Sequence, residues 1–150
     1  MKLRIPPALL VIIFGGLMYA LDRYLPVGEF DFFGRRILMY FLAGLAIVIM
    51  FLALFRFMKA RTTVNSDSPS DTSNLVTGGI YRFTRNPMYL SMLLWLLAWG
   101  LGLGNAFNTL TAALFVAYMN RFQIKPEEEA LKQLFGKEYE AYCAQVRRWF

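Results

Sequence analysis

Histidine is absent from all 150 residues, and Cys143 is the lone cysteine. The first absence removes a histidine-based triad as a catalytic device, and the two together leave too few ligands for a zinc site. One thiol cannot close an internal disulfide, so it says nothing firm about redox compartment. Charge is also scarce, with 17% of residues charged against 57% hydrophobic. A soluble domain of this length could not bury that much apolar surface in one core, so the composition points to a membrane protein. The formal net charge of +6 would suit nucleic acid, but the basic residues cluster at the ends of apolar runs instead of forming a stripe with interleaved aromatics. That placement fits orientation in a bilayer, and neither nucleic acid nor a metal is expected as a partner.

What the chain does have is long uncharged runs. Residues 5–21 carry no charge and follow Lys2 and Arg4. They are near the short limit for crossing a bilayer, which takes about 20 residues. A signal peptide shares this layout, but Met18 and Ala20 make a poor cleavage pattern, so a retained span is expected. Residues 22–36, of mixed charge with Pro26, Gly28 and Gly34, read as a connecting loop, and 37–55 is the clearest span. Residues 56–86 form a polar loop at the aqueous face, with Ser66, Asp67, Ser68, Pro69, Ser70 and Asp71 at its centre. No charge then appears between Asn86 and Arg121. One helix over that stretch would run to about 50 Å against a hydrocarbon core of about 30 Å. Gly100, Gly102, Gly104 and Asn105 supply the break that divides it into spans at 87–101 and 106–122. The glycines read as a hairpin turn, because a nucleotide loop would need a strand before them and a phosphate-binding helix after.

The expected architecture is a single all-α integral membrane domain with four transmembrane helices and C-terminal interfacial amphipathic helices over 126–149. Lys2, Arg4, Arg56, Lys59, Arg61, Arg82, Arg85 and the basic tail then share one face. By the positive-inside rule that face, with both termini, is cytoplasmic.

Two stretches carry the chemistry. Residues 79–91 read GIYRFTRNPMYLS and set Arg82, Arg85, Tyr81, Phe83 and Tyr89 around an Asn86-Pro87 step. The residue before a proline is driven out of the α region, whereas proline suits the first position of a helix, so a polar elbow meets a membrane helix here. Free backbone N–H groups and the positive end of the helix dipole, with Arg85 beside them, can seat a carboxylate or a phosphate. In the tail, Pro126 followed by Glu127, Glu128 and Glu129 reads as a helix start, and Gly136 as its stop. Tyr139, Tyr142, Val146 and Trp149, at helical spacing, predict a second, interfacial helix beside Arg147 and Arg148. By themselves the acids are also explained as charges complementing the helix dipole.

Together, G-x-Y-R-x-x-R-N-P-x-Y and, after the hairpin, E-E-x-x-L-x-x-x-F-G-x-x-Y-x-x-Y resemble the isoprenylcysteine carboxyl methyltransferase and phospholipid methyltransferase superfamily of membrane enzymes. The likeness covers roughly residues 60–148. It implies S-adenosylmethionine-dependent methyl transfer to a lipophilic acceptor at the cytoplasmic surface of a prokaryotic-type membrane, outside any Rossmann fold. Carried over, it marks Tyr81, Arg85, Asn86, Pro87, Tyr89, Glu127 and Glu128 as cofactor-binding, with Arg85 and Glu128 as the catalytic pair. Glu129 falls where the pattern is free. Arg147 and Arg148 are the candidates for substrate binding.

Two departures bear on the acceptor. Arg85-Asn86-Pro87 stands where prenylcysteine enzymes usually read R-H-P, and Gln145 stands where they place a substrate-binding arginine. The acceptor atom, O, N or S, therefore stays open. Two rival readings remain: a non-catalytic membrane protein with a structural Arg/Glu network, and a distantly similar sterol reductase using a nicotinamide.

Overall fold

The computed structural model describes residues 5–25, 27–62 and 74–150. Lys2, Arg4, Pro26 and the central part of the polar loop, 63–73, lie outside them. Every described element is helical: α1 (Pro7–Tyr24), α2 (Arg35–Thr62), α3 (Pro87–Leu103), α4 (Phe107–Tyr118), α5 (Lys125–Phe135) and α6 (Lys137–Gln145). A 3-10 turn, Gly79–Arg82, precedes α3, and a π-helical segment, Met119–Ile124, joins α4 to α5.

The core is built where α1, α3 and α4 meet. Leu10 and Met18 of α1, Leu96 of α3, Ala112 and Phe115 of α4, and Met119 and Ile124 of the π segment form one buried cluster. Phe14 meets Phe115 edge to face, with ring centroids 5.5 Å apart. On α2, the buried residues Ala46, Ile49 and Ala53 recur at helical spacing, and α2 with α3 is the most extensively packed pair. Small residues let such helices approach closely without help from the hydrophobic effect, which is weak between helices in lipid. The rest of α1 and α2 is apolar and outward: Ile12 is 70% exposed, Ile37 71% and Phe51 67%. That surface is stable only against hydrocarbon. These two helices are long and apolar enough to cross a membrane. The other two expected spans, α3 and α4, are shorter, 17 and 12 residues.

The structure departs from expectation in four places. Helix α2 does not end at 55 but continues through 56–62, taking part of the expected loop into the helix. Gly100 and Gly102 lie inside α3, facing Asn108 and Met39 at close approach, and the turn itself falls to Gly104 (φ +76°). There Arg35 packs so closely that a side chain on Gly104 would collide with its guanidinium. No break precedes Pro126, because the chain stays helical from α4 through the π segment into α5. A proline lacks the N–H of a regular turn and its ring strikes the carbonyl four residues back, so the wider winding just before it absorbs the misfit. Finally, α6 stops at Gln145, and Val146 is extended (φ −123°, ψ 130°), so Trp149 is not helical.

Candidate active site

Residues 74–86 and the end of the chain meet beside the last turns of α2 and the first turn of α3. Asn86 leaves the α region (φ −129°, ψ 58°) and Pro87 opens α3, as the Asn-Pro step requires. Upstream, Gly79 is left-handed (φ +64°) and lies directly on the Arg56 side chain from the extended part of α2. A Cβ at Gly79 would be strained and would strike that guanidinium group, so the sharp entry to the elbow depends on glycine.

The elbow is then tied to the last residues of the chain. Thr84, buried, accepts a hydrogen bond from the Asn86 N–H at 3.1 Å and donates to the Arg148 carbonyl at 3.3 Å. Asn86 Nδ2 donates to the same carbonyl at 3.0 Å. The Arg85 N–H donates to the Arg147 carbonyl at 3.0 Å. These bonds recruit backbone that would otherwise continue α6, which is why residues 146–149 leave the helix as a strap. Trp149 packs on the membrane core instead of the α6 face, and its indole N–H donates to Asn120 Oδ1 at 3.0 Å. Tyr139, Tyr142 and Val146 do form one cluster, packed against Leu75, Leu131 and Phe135.

The neighbouring acids of α5 face different partners. Glu127 Oε1 accepts from the Tyr89 hydroxyl at 2.7 Å and from Gln123 Nε2 at 2.6 Å. Glu128 lies between two cations: Arg85 Nη2 is 3.1 Å from its Oε1, while Arg148 grips both oxygens, Nε to Oε1 at 3.0 Å and Nη2 to Oε2 at 2.6 Å. Glu129 is exposed.

These groups surround a cavity of about 680 Å³. All seven residues marked as cofactor-binding by sequence, Tyr81, Arg85, Asn86, Pro87, Tyr89, Glu127 and Glu128, line it. Its opposite wall is apolar, with Phe57 and Ala60 of α2, Leu75, Val76, Leu134 and Phe135. Arg147 and Arg148 do not line it: the Arg147 side chain is exposed, and Arg148 is engaged with Glu128. Gln145 is exposed and also lies outside the lining.

Three of the tyrosines at the cavity hold their protons more tightly than a free tyrosine does. Tyr142 donates to the Tyr81 carbonyl at 2.6 Å, and burial first, then proximity to Tyr81, pushes its hydroxyl up to about 12. Burial also raises Tyr81 and Tyr139 above the ordinary tyrosine value. The Arg148 guanidinium is raised by its hydrogen bond with Glu128.

Two groups here have unused hydrogen-bonding capacity. Arg85 Nε is buried with no partner among the described residues, a state that costs about 1–3 kcal/mol. Glu127 Oε2 accepts no hydrogen bond from the described residues, since both of its bonds go to Oε1. Both side chains line the cavity, Arg85 with a buried unpartnered donor and Glu127 with a carboxylate oxygen that accepts nothing from the described residues.

Sequence reasoning missed Gln123 and the bonds of Thr84. Gln123 lies one helical turn before Glu127, and its only signal was that spacing. The partnership of Thr84 with Arg148 is tertiary and has no local mark.

The description of the phospholipid methyltransferase family matches residues 34–138. An uncharacterized protein of Haemophilus influenzae is 52% identical over 62 residues, covering 41% of this chain and 98% of that protein. The probable protein-S-isoprenylcysteine O-methyltransferase of Oryza sativa subsp. indica is 36% identical over 76 residues, 51% of this chain and 40% of that protein. The Schizosaccharomyces pombe protein-S-isoprenylcysteine O-methyltransferase is 38% identical over 72 residues, 48% of this chain and 30% of that protein. This chain therefore spans less than half the length of these two enzymes. No solved structure gives a significant match. With the family description covering well over half of its residues, including both the elbow and the paired glutamates, this chain belongs to the phospholipid methyltransferase family.

Proposed function

We propose that this protein transfers a methyl group from S-adenosylmethionine to a lipophilic acceptor, within or on the cytoplasmic leaflet of its membrane. The observation that carries this reading is that the elbow and the Glu127–Glu128 pair line one cavity, with Arg85 bonded directly to Glu128 at 3.1 Å. The name of the family and those of the Oryza sativa and Schizosaccharomyces pombe relatives, all methyltransferases, support the reaction class.

When bound, the cofactor supplies a methyl group already activated on a sulfonium. The residues present fit its amino-acid end. Arg85 Nε offers a buried N–H to a carboxylate, and Glu127 Oε2 offers an acceptor to an ammonium or to ribose hydroxyls. Tyr81, Tyr139 and Tyr142, their protons held more tightly by burial, present ring faces to a cation, a contact worth about 0.5–2 kcal/mol. Displacement at such a carbon is in-line, so the protein's task is to hold donor and acceptor in register, and no histidine base is needed. The apolar wall of Phe57, Ala60, Leu75 and Leu134 matches a lipophilic acceptor. The non-catalytic alternative rests on the same ion pairs, but a purely structural network gives no reason for an arginine that lines a cavity of this size and leaves its Nε without a partner among the described residues.

The test is calorimetric titration of purified protein in detergent with S-adenosylhomocysteine. Binding with a Kd on the order of 10 μM, about −7 kcal/mol, is expected. Arg85→Ala and Glu128→Gln should each weaken it at least about tenfold while the helical spectrum is retained. No binding by the wild type, or equal binding by both variants, refutes the proposal. The cytoplasmic placement of both termini is checked separately with reporter fusions at each end.

A further inference from the structure

The strap after α6 has no place in the reaction described above, yet it is bonded to both halves of the cavity, and one residue makes both connections. We propose that Arg148 is a positioning residue for donor binding, one that acts through Glu128; this rests on the cofactor reading above. Its backbone carbonyl receives Thr84 Oγ1 at 3.3 Å and Asn86 Nδ2 at 3.0 Å, which fastens residue 148 to the elbow. Its side chain receives the whole carboxylate of Glu128, two nitrogens to two oxygens at 3.0 and 2.6 Å. A two-point grip of this kind fixes the plane of the carboxylate as well as its position, which an ammonium group could not do. Trp149 on one side and the Arg147 carbonyl on the other are themselves anchored, so the guanidinium group cannot drift away from its partner.

The arrangement also decides what Arg85 is free to do. One carboxylate between two guanidinium groups is over-compensated, so Arg85 commits only Nη2 to Glu128, and its buried Nε has no partner among the described residues. Without Arg148, Glu128 would rotate onto Arg85 and occupy that donor. Arg148 therefore preserves the anion-binding capacity of a residue it does not touch, and it does so without lining the cavity.

The experiment is a double-substitution cycle read as S-adenosylhomocysteine affinity of the full chain in detergent, with melting temperatures recorded alongside. Arg148→Ala should weaken binding about tenfold, and in a Glu128→Gln background the same change should weaken it less than about twofold. Losses that simply multiply in the double variant overturn the proposal, because they would mean that Arg148 acts on general stability. Wild-type affinity in Arg148→Ala overturns it as well. If Arg148→Ala does not fold, or if Glu128→Gln binds too weakly to titrate, Arg148→Lys decides: it should cost about threefold in affinity with the melting temperature within a few degrees of wild type. Unchanged affinity in Arg148→Lys then overturns the proposal. A wild-type protein that binds no S-adenosylhomocysteine overturns the cofactor reading itself, which separates that failure from this one.

Discussion

Removing the negative charge of Glu128 should cost the protein stability, and removing a cation afterwards should return part of it. In Glu128→Gln, Arg85 and Arg148 lose a shared anion and are left facing each other. Their side chains and that of Glu128 are 14%, 31% and 19% exposed. Exposed ion pairs are worth about 0–1 kcal/mol, and breaking a buried one costs about 3–5 kcal/mol. At this intermediate burial the loss should be about 2–3 kcal/mol, which for a chain of this length corresponds to a fall in melting temperature of roughly 5–10 °C. In Glu128→Gln/Arg148→Gln one of the two stranded cations is gone, so the double variant should melt above the single one, though below wild type. Thermal unfolding followed by circular dichroism in one detergent, at low and at high salt, measures this. Added salt should narrow the gap between single and double variants, since it screens the repulsion that the second change removes. A double variant less stable than Glu128→Gln would refute the charge balance argued here.

Two further outcomes are expected. Gly79→Ala should lose about 1–2 kcal/mol from the left-handed backbone alone and more from displacing Arg56, lowering the melting temperature and the affinity for S-adenosylhomocysteine together; a neutral effect would mean the elbow enters by another conformation. Tyr142 holds its proton more tightly folded, at about 12, than in an unfolded chain, at 10.0. Its contribution is thus complete below pH 10 and is lost as pH climbs from 10 to about 12. Tyr142→Phe should flatten that part of the curve of melting temperature against pH, and an unchanged slope would contradict the assignment.

The elbow could be read from residues because its causes are local: a proline fixes its own backbone angle and restricts the residue before it, whatever lies around them. Pairing it with Glu127 and Glu128 needed the motif likeness, since nothing in either stretch alone says that they meet. Pro126 shows where local rules divide. The same residue that can begin a helix can also be carried inside a longer one if the preceding turn widens, and only packing of Met119 and Ile124 into the core selects the second outcome. Trp149 failed for a related reason. Its spacing from Tyr142 and Val146 is helical, but the carbonyls of Arg147 and Arg148 find better donors in the elbow than a further helical turn would supply. Glycines 100 and 102 mislead in the same way, because glycine marks both turns and tight helix crossings, and the sequence does not say which.

The length of α2 has a mechanical consequence. It is a single rod of 28 residues, about 42 Å end to end, whose outer part lies in lipid while its last turns carry Phe57 and Ala60 to the cavity wall. A wall borne on a loop could adjust by itself. Borne on a continuous helix, this wall is coupled to the tilt of the whole rod, and tilt is how a long apolar span adapts to the thickness of a bilayer.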